Sequence, residues 1–395
     1  MHIPLLALFL FAILTLWVPA GWPVTVFQVG IFALAGIVIW QARSSPPPFT
    51  WPLVPLSFAV LWGLIQCLTG YTAYTFETSF AILKWVTFLA VFLIGTTIFR
   101  DEALNWWARS AMVWFAFLVS ILATLQSFTA EGKVFWLFPS QYTDYVMGSF
   151  LSRNDFAAFI EAVLPMALYR AVRNERDSLL YAFMAAVMYA SVIASASRAG
   201  TVLTTAEIVL VPLLLWGRRG ASGRAAVFLR LALLVPIIAA VVGVGSVRDR
   251  FFTPDPLAVR RELAASSWHM ATAHPWWGVG LGCWSTVYPG YATVDVGAFV
   301  NQAHNDWLQW IAEGGFPFAL MIATLFFWSL RQAFRTVWGL GAAAVFLHAL
   351  VDYPFARPAL GSWPILVLSL MVLLPARRRT PPERADKGAT GDFFV

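Results

Sequence analysis

Charged residues are scarce in this chain, and their scarcity excludes most classes of soluble protein. Only 12% of the 395 residues are charged and 60% are hydrophobic, whereas soluble domains carry about 25% charged residues. Apolar runs of about twenty residues recur along the chain, and each is long enough to cross the hydrocarbon core of a bilayer. The composition therefore predicts an all-α, polytopic integral membrane protein.

Cysteine is rare as well, and no glycine loop of the nucleotide-binding type is present. The two cysteines, Cys67 and Cys283, are too few for a disulfide framework. The sequence GVGLG at 278–282 follows HPWW rather than a strand, so a tight turn is predicted there and not a phosphate-binding loop. A net charge of +6 would favour nucleic acid as a partner of a soluble protein. Here the basic residues lie between apolar runs, so no nucleic-acid partner is predicted.

Twelve apolar segments are predicted to span the membrane within a single domain, residues 1–376. The first segment lacks the basic start of a signal peptide and is followed at once by another span, so it is interpreted as a transmembrane helix. Residues 377–395 are predicted to form a basic, disordered tail. The predicted spans are 3–20, 22–40, 53–69, 78–99, 104–128, 154–170, 178–197, 199–216, 225–247, 316–334, 337–353 and 360–375.

The distribution of basic residues between the spans predicts how the chain is oriented. If the tail is cytoplasmic, every even-numbered connection faces the cytoplasm and contains arginine, as cytoplasmic connections usually do. Both termini are then cytoplasmic. The longest connection, residues 248–315 between spans nine and ten, faces the opposite side. The inward connections contain Arg43, Arg100, Arg109, Arg170, Arg173, Arg176, Arg218, Arg219, Arg224, Arg331 and Arg335.

The long connection ends in a polar stretch, NQAHNDWLQWIAEGG at 301–315. This stretch is predicted to begin an interfacial helix, with His304 at its start. An imidazole suits proton transfer near neutral pH, although a lone loop histidine is more often a surface or capping residue. Asp306 is an alternative base, or it orients His304, and Glu313 fits a structural role near the Gly314–Gly315 turn. A belt of tryptophans is predicted at the headgroup level: Trp268, Trp276, Trp277, Trp284 and Trp310.

Arginines on the same predicted side are candidates for binding an anion. A guanidinium binds phosphate through two parallel hydrogen bonds and keeps its charge when partly buried. Arg198 lies in a short turn among small residues, and Arg153 precedes the sixth span. Arg260 and Arg261 lie on a predicted helix that ends near Pro275. The alternative, anchoring to lipid headgroups, is preferred for Arg248, Arg250 and Arg357.

Ionisable residues are also predicted within the spans or at their ends. They are Lys84, Glu161, Glu207 and the pair His348 and Asp352. Such groups are costly in a membrane and are usually paired or functional. A structural ion pair, such as Lys84 with Glu161, is as good an interpretation as a functional one.

Several segments resemble the core of the O-antigen ligase and polymerase family. RRELAASSWHMATAHPWWGVGLGCWSTVYPGYA, followed by AHNDWLQWIAEGG, reproduces the family's ordered pattern: an arginine, a Trp, a His-Pro with spaced glycines, a Tyr, then His-Asn-x-x-Leu and Glu-x-Gly. GSFLSRNDFAAFIEAVLPM, SASRAG and HALVDYPFARPA resemble flanking segments. The resemblance covers roughly residues 145–360.

The resemblance implies a metal-independent, GT-C-like glycosyltransferase of the bacterial inner membrane that needs no cofactor. Such enzymes take a glycan from undecaprenyl diphosphate on the periplasmic side and transfer it to lipid A–core, to another lipid-linked repeat or to protein. It implies that His304 is the essential loop histidine, and that Arg198 with either Arg260 or Arg261 holds the diphosphate. Supporting roles are expected for Asn305, Glu313, Trp268, His274, Tyr288, His348 and Asp352.

The residues leave the reaction within this family open. No Lys or Arg occurs between Glu262 and His304, where some ligases carry a basic residue, and this weighs against a ligase but not against the family. HALVDYPF is associated with ligase-like proteins of exopolysaccharide and capsule clusters, and it points slightly the same way. A ligase-like transfer is the first interpretation, and a polymerase of the same family, for which a chain-length regulator is an expected partner, is the alternative. Membrane lipids are expected partners in either case. A lipid-linked glycan transporter or a non-enzymatic scaffold is the alternative outside the family, but no inverted repeat is evident.

Overall fold

A computed structural model describes residues 1–41, 49–140, 146–173, 176–215, 258–294, 297 and 299–372. These residues are mostly helical, with one short antiparallel hairpin between β1 (Lys133–Val134) and β2 (Phe138–Pro139). The helices are α1 His2–Leu14, α2 Trp22–Gln41, α3 Leu53–Thr69, α4 Thr75–Ile98, α5 Glu102–Thr129, α6 Arg153–Arg173, α7 Ser178–Ala194, α8 Arg198–Leu214, α9 Ala258–Ala273, α10 Trp284–Val287, α11 Asp306–Ala333, α12 Leu340–His348 and α13 Pro358–Leu370.

The helix lengths bear on the predicted spans. Within the described residues, four helices, α2, α4, α5 and α11, are long and apolar enough to cross a membrane, and five shorter helices are also apolar. The chain is therefore a multi-pass helical membrane protein, as predicted, while the number twelve stays a prediction. The predicted span 225–247, residues 248–257 and the tail 377–395 lie outside the described residues. The segment 337–353 is not one helix, because it contains a 3₁₀ turn and then the nine-residue α12.

One end of the bundle is defined by the start of α5. The ring of Trp107 packs edge-on against His2 with a centroid distance of 5.0 Å. The side-chain amide of Asn105 donates to the carbonyl of Leu370 over 3.0 Å. The first residues of α1 and the last residues of α13 therefore lie together at this end.

The other end is defined by the end of α5, about 42 Å away at 1.5 Å per residue. The amide of Gln126 donates to the carbonyl of Gly148 over 2.9 Å, and the hydroxyl of Ser149 donates to the carbonyl of Ile13 over 2.7 Å. The end of α1 and the segment that leads into α6 consequently lie at this second end. The candidate site described below lies there too, because it includes the start of α6.

Helix α6 runs through the centre of the bundle and is buried on nearly every side. A helix with apolar residues all round is expected to be surrounded by others, and α6 packs against α5, α7, α8, α12 and α13. Arg170 near its last turn is buried and donates to the hydroxyls of Tyr181 and Ser110 over 2.7 and 2.6 Å. This arginine, predicted in a connection, is instead part of the helix packing at the end where α1 begins.

Candidate active site

The long connection packs on the bundle through α9, close to where it was predicted. Leu263 and Ser267 are buried on one face of α9, whereas Arg261 is exposed on another. The indole of Trp284 donates to the hydroxyl of Ser267 over 3.0 Å. The helix ends at Ala273, just before Pro275, and its buried face holds the connection against α11.

The GVGLG segment is the tight turn that the sequence predicted. Its three glycines have φ angles of 67, 106 and 81°, a region that residues with a Cβ rarely adopt. The amides of Val279 and Gly280 donate to the carbonyls of Ala312 and Glu313 over 2.9 and 3.0 Å. These carbonyls have no partner within α11, because Gly315 breaks the helix with φ 76 and ψ 174°. The turn therefore caps the first part of α11.

Two buried side chains fasten this turn. Gln66 of α3 donates to the carbonyls of Trp277 and Glu313 over 2.6 and 2.9 Å and accepts from the amide of Leu281 over 3.0 Å. The carboxylate of Glu313 accepts from Gln309 over 2.9 Å and from the amide of Trp284 over 3.3 Å. Glu313 therefore has a structural contact with the backbone. The amide that it binds belongs to the long connection, however, and not to the Gly314–Gly315 turn near which its structural role was predicted.

Replacing Gly280 by alanine is expected to loosen the turn. An added Cβ would collide with Thr72, and the left-handed backbone costs a non-glycine residue roughly 1–2 kcal/mol. We expect a lower thermal-unfolding midpoint for the purified protein. Gly290→Ala is the matched control, because a Cβ at Gly290 meets nothing within 4 Å. Equal midpoints for the two variants would contradict the capping role.

His304 lies immediately before α11 in a strained backbone conformation. Its φ is 52°, which is unusual for a residue with a side chain. The next residue, Asn305, caps α11 by accepting from the amide of Leu308 over 3.0 Å. The imidazole is about one-third exposed, and its Nδ1 lies 3.5 Å from Oδ1 of Asp352. Its edge packs against Tyr353 at a centroid distance of 4.8 Å.

Asp352 is buried and joins the predicted base to a predicted arginine. Besides His304, it contacts Nη2 of Arg260 at 3.6 Å, the side-chain amide of Asn154, which donates to Oδ2, and the amide of Tyr353 at 3.1 Å. Burial alone would raise the pKa of Asp352, but the His304 contact and the charge of Arg260 outweigh burial and hold this pKa below its ordinary value. The carboxylate is therefore charged at neutral pH.

Two further arginines are chain neighbours of residues that bind in this cluster. The hydroxyl of Ser197 donates to Oδ1 of Asn154 over 2.8 Å and caps α8 by accepting from the amide of Gly200. Arg198 is the first residue of α8 and is partly buried. Among the described residues its guanidinium forms no hydrogen bond or ion pair. Arg153 begins α6, one residue before Asn154.

Residues 183–323 match the family model described as O-antigen ligase. The chain carries the domain of the O-antigen ligase family. The resemblance inferred from the sequence is thereby confirmed, and it indicates a membrane glycosyltransferase-type enzyme of polysaccharide biosynthesis. The matched range runs from α7 into α11, so it includes Arg198, Arg260 and His304 but not Asn154 or Asp352. No curated protein matches the chain.

In this O-antigen ligase-like site, the geometry of Asp306 favours a structural role. Asp306 is buried, and its carboxylate accepts from the amide of Phe355 over 2.9 Å. Its own amide donates to the carbonyls of Ala349 and Asp352 over 2.9 and 3.1 Å. Asp306 therefore fastens the segment 349–355 to the start of α11 and in this way holds Asp352 opposite His304.

Behind the cluster lies a buried acid–base pair. Nδ1 of His348 lies 2.7 Å from Oε1 of Glu161, and both side chains are fully buried. From the sequence, Lys84 was given as an example of a partner for Glu161. That pairing is wrong, because Glu161 pairs with His348.

Glu207 is also buried, and among the described residues neither of its carboxylate oxygens has a hydrogen-bond partner. Among those residues, too, no group of three His, Cys, Asp or Glu is arranged to hold a metal ion.

The remaining predicted supporting residues belong to the packing of the long connection. Tyr288 donates to Glu262 over 2.8 Å, and burial together with this carboxylate raises the pKa of Tyr288 to about 12. His274 contacts the hydroxyl of Tyr291 at 3.3 Å.

The predicted belt of exposed tryptophans is wrong in two members, because Trp284 and Trp310 are buried, with 0% and 3% of their surface exposed. Trp268 and Trp276 are exposed, and Trp277 stacks on Trp62 and Tyr71.

The sequence did not single out several residues of the site. Two of them are Asn154 and Tyr353. Both lie in segments that resemble the family, and this resemblance was the signal that could have identified them. Arg357 was predicted to anchor to headgroups. That prediction is wrong, because its Nε lies 2.7 Å from the buried carboxylate of Asp155, about two hundred positions away in the chain.

Proposed function

We propose that this protein transfers a glycan from undecaprenyl diphosphate to an acceptor hydroxyl at the end of the bundle that contains His304. The observation that carries the proposal is the double contact of Asp352, which lies 3.5 Å from His304 and 3.6 Å from Arg260. A base and a phosphate-binding cation are thus held on one buried carboxylate. Arg198 and Arg153 add positive charge beside them.

The chemistry follows from which side of the imidazole faces Asp352. The carboxylate faces Nδ1, so it favours the tautomer with the proton on Nδ1 and leaves Nε2 as the proton acceptor. Nε2 takes the proton of the acceptor hydroxyl, and the oxygen of that hydroxyl bonds to the anomeric carbon of the glycan. The bond from that carbon to the diphosphate breaks, and the electron pair leaves with undecaprenyl diphosphate. Arg198 and Arg260 stabilise the developing charge, and attack opposite the leaving group inverts the anomeric centre.

We infer a ligase-like reaction in the periplasm, with lipid A–core or a related surface glycan as acceptor. The second candidate is a polymerase, which the lack of Lys and Arg between Glu262 and His304 favours. Deleting the gene and separating the surface glycan on a gel decides between them. Unattached long polymer indicates a ligase, and a single repeat on core indicates a polymerase. Normal polymer that fails to reach the surface would indicate a transporter and contradict both enzymatic functions.

Replacing Arg198 or Arg260 by lysine is expected to weaken use of the donor strongly. Lysine keeps the charge but loses the planar fork that binds phosphate through two hydrogen bonds. The measurement is the KM and binding affinity for the lipid-linked donor in a purified transfer assay. Arg331→Lys is the control, because Arg331 is exposed in the last turn of α11. Its replacement by lysine is expected to leave donor binding unchanged. Unchanged donor affinity in both site variants would show that these arginines do not hold the diphosphate.

The proposed orientation predicts where reporter fusions are active. A reporter that works only in the periplasm is expected to be silent at Gly220 and active at Ala292. Gly220 lies in the connection that contains Arg218, Arg219 and Arg224, and basic connections are usually cytoplasmic, whereas Ala292 lies in the next connection, on the other side of the membrane. Activity at Gly220 with silence at Ala292 would invert the topology. The proposed periplasmic reaction would then fail with it.

A further inference from the structure

Arg357 is a further cation, four residues after Tyr353, that the proposed reaction does not use. It occupies the position immediately before α13, and its Nε lies 2.7 Å from Oδ2 of Asp155. Asp155 is 5% exposed, whereas Arg357 is 36% exposed. Among the described residues the terminal nitrogens of Arg357 form no hydrogen bond. The guanidinium is thus fixed from behind by a buried carboxylate, while its outer nitrogens stay available.

Tyr353 contacts the site directly and precedes this arginine by four residues. Its ring packs edge-on against His304, and its amide donates to Asp352. Burial, with the nearby charges of Asp155 and Asp352, raises the pKa of the phenol, so the hydroxyl stays a hydrogen-bond donor at working pH. This hydroxyl has no hydrogen-bond partner among the described residues.

We propose that the Tyr353 hydroxyl and the Arg357 guanidinium form an anion subsite beside His304 that takes a phosphate or carboxylate oxygen of a substrate. The inference rests on the proposed function, because that function supplies anionic substrates. The contact with the carboxylate of Asp155 orients the guanidinium in advance, so binding of an oxyanion costs less side-chain freedom. The anion has two sources: the diphosphate of the donor, or an acidic group of the acceptor glycan.

The structural alternative is that Arg357 only neutralises Asp155. Removing the arginine alone cannot test this, because it leaves an uncompensated buried charge and destabilises the fold. The double variant Asp155→Asn/Arg357→Gln removes both charges together. Tyr353→Phe keeps the ring against His304 and removes only the hydroxyl. Arg357→Lys keeps the charge opposite Asp155 and removes the fork, so it serves if the double variant does not fold.

The test is binding of two probes, undecaprenyl diphosphate and inorganic phosphate, to the full chain in lipid nanodiscs. If the anion is the donor's diphosphate, the double variant or Arg357→Lys binds undecaprenyl diphosphate about tenfold or more weakly, since hydrogen bonds to charged groups are of this size. If the anion belongs to the acceptor, wild type saturated with undecaprenyl diphosphate still binds phosphate and the variants do not. Arg335→Gln, exposed at the opposite end, is the control and leaves both affinities unchanged.

Wild-type affinity for both probes in the double variant, in Arg357→Lys and in Tyr353→Phe would overturn the subsite. These measurements need no turnover, so they are independent of the proposed reaction. Normal transfer by His304→Ala would sink the proposed reaction while leaving the binding result in place.

Discussion

The His304→Ala variant is expected to bind the lipid-linked donor almost normally and to lose transfer by about a hundred- to ten-thousandfold. A proton acceptor acts in the transition state and contributes little to binding of the ground state. The loss should therefore fall on kcat and not on donor affinity. Transfer with purified protein and donor binding, measured on the same preparation, separate the two quantities.

His269→Ala is the matched control for this variant. His269 is an exposed histidine on α9 in the same long connection, and its removal is expected to leave transfer unchanged. Near-normal turnover in His304→Ala, with donor still bound, would remove His304 as the base. The neighbouring carboxylate Asp306 would then be the next residue to test.

Asp352→Asn is expected to lower kcat by about a hundredfold or more while the protein still folds. The amide keeps the size of the side chain but removes the charge that faces Nδ1 of His304 and Nη2 of Arg260. In a serine-protease triad the equivalent exchange misplaces the imidazole proton and costs about ten-thousandfold. The assay is single-turnover transfer at saturating donor. Asp101→Asn, at the exposed cap of α5 at the opposite end, is the control.

The same substitution carries a pH signature. The pKa of Asp352 is lower in the folded protein than its ordinary value, so its charge stabilises the fold above about pH 4, the ordinary range of an aspartate. This stabilisation is lost as the pH falls through that value toward the folded pKa. Wild type is thus expected to lose stability below about pH 4 more steeply than Asp352→Asn. Parallel stability curves for the two proteins would contradict the ionic role of Asp352.

The parts of the site that depend on neighbouring residues were predictable from the sequence. The start of α11 follows from the capping side chain of Asn305, and the turn at 278–282 follows from glycines that permit positive φ. The end of α9 follows from Pro275, which a helix interior excludes. Each of these signals acts within a few positions of the chain.

The contacts that assemble the site could not be predicted in the same way. The side-chain amide of Asn154, at the start of α6, donates to Asp352 in the segment that follows α12. The next residue, Asp155, contacts Arg357, which is about as far away along the chain. Both pairs depend on how α6 packs against the segment that follows α12. Composition places such residues in or near the membrane but does not determine which charge faces which.

Helix ends were mispredicted for a related reason. The apolar run 337–353 predicts one span, yet α12 ends at His348. The residues that follow α12 bind elsewhere, since the carbonyls of Ala349 and Asp352 accept from the amide of Asp306 at the start of α11. An apolar run shows that a segment avoids water, but a hydrogen bond from a distant helix decides where the helix stops.

The position of the first helix has a practical consequence. His2 packs at the start of α5, at the end of the bundle remote from His304. An affinity handle placed before Met1 would therefore attach the protein to a sensor chip with the His304 end turned toward the flowing solution. Immobilised in this orientation, the protein can be screened for small molecules that enter the site without the support blocking their approach.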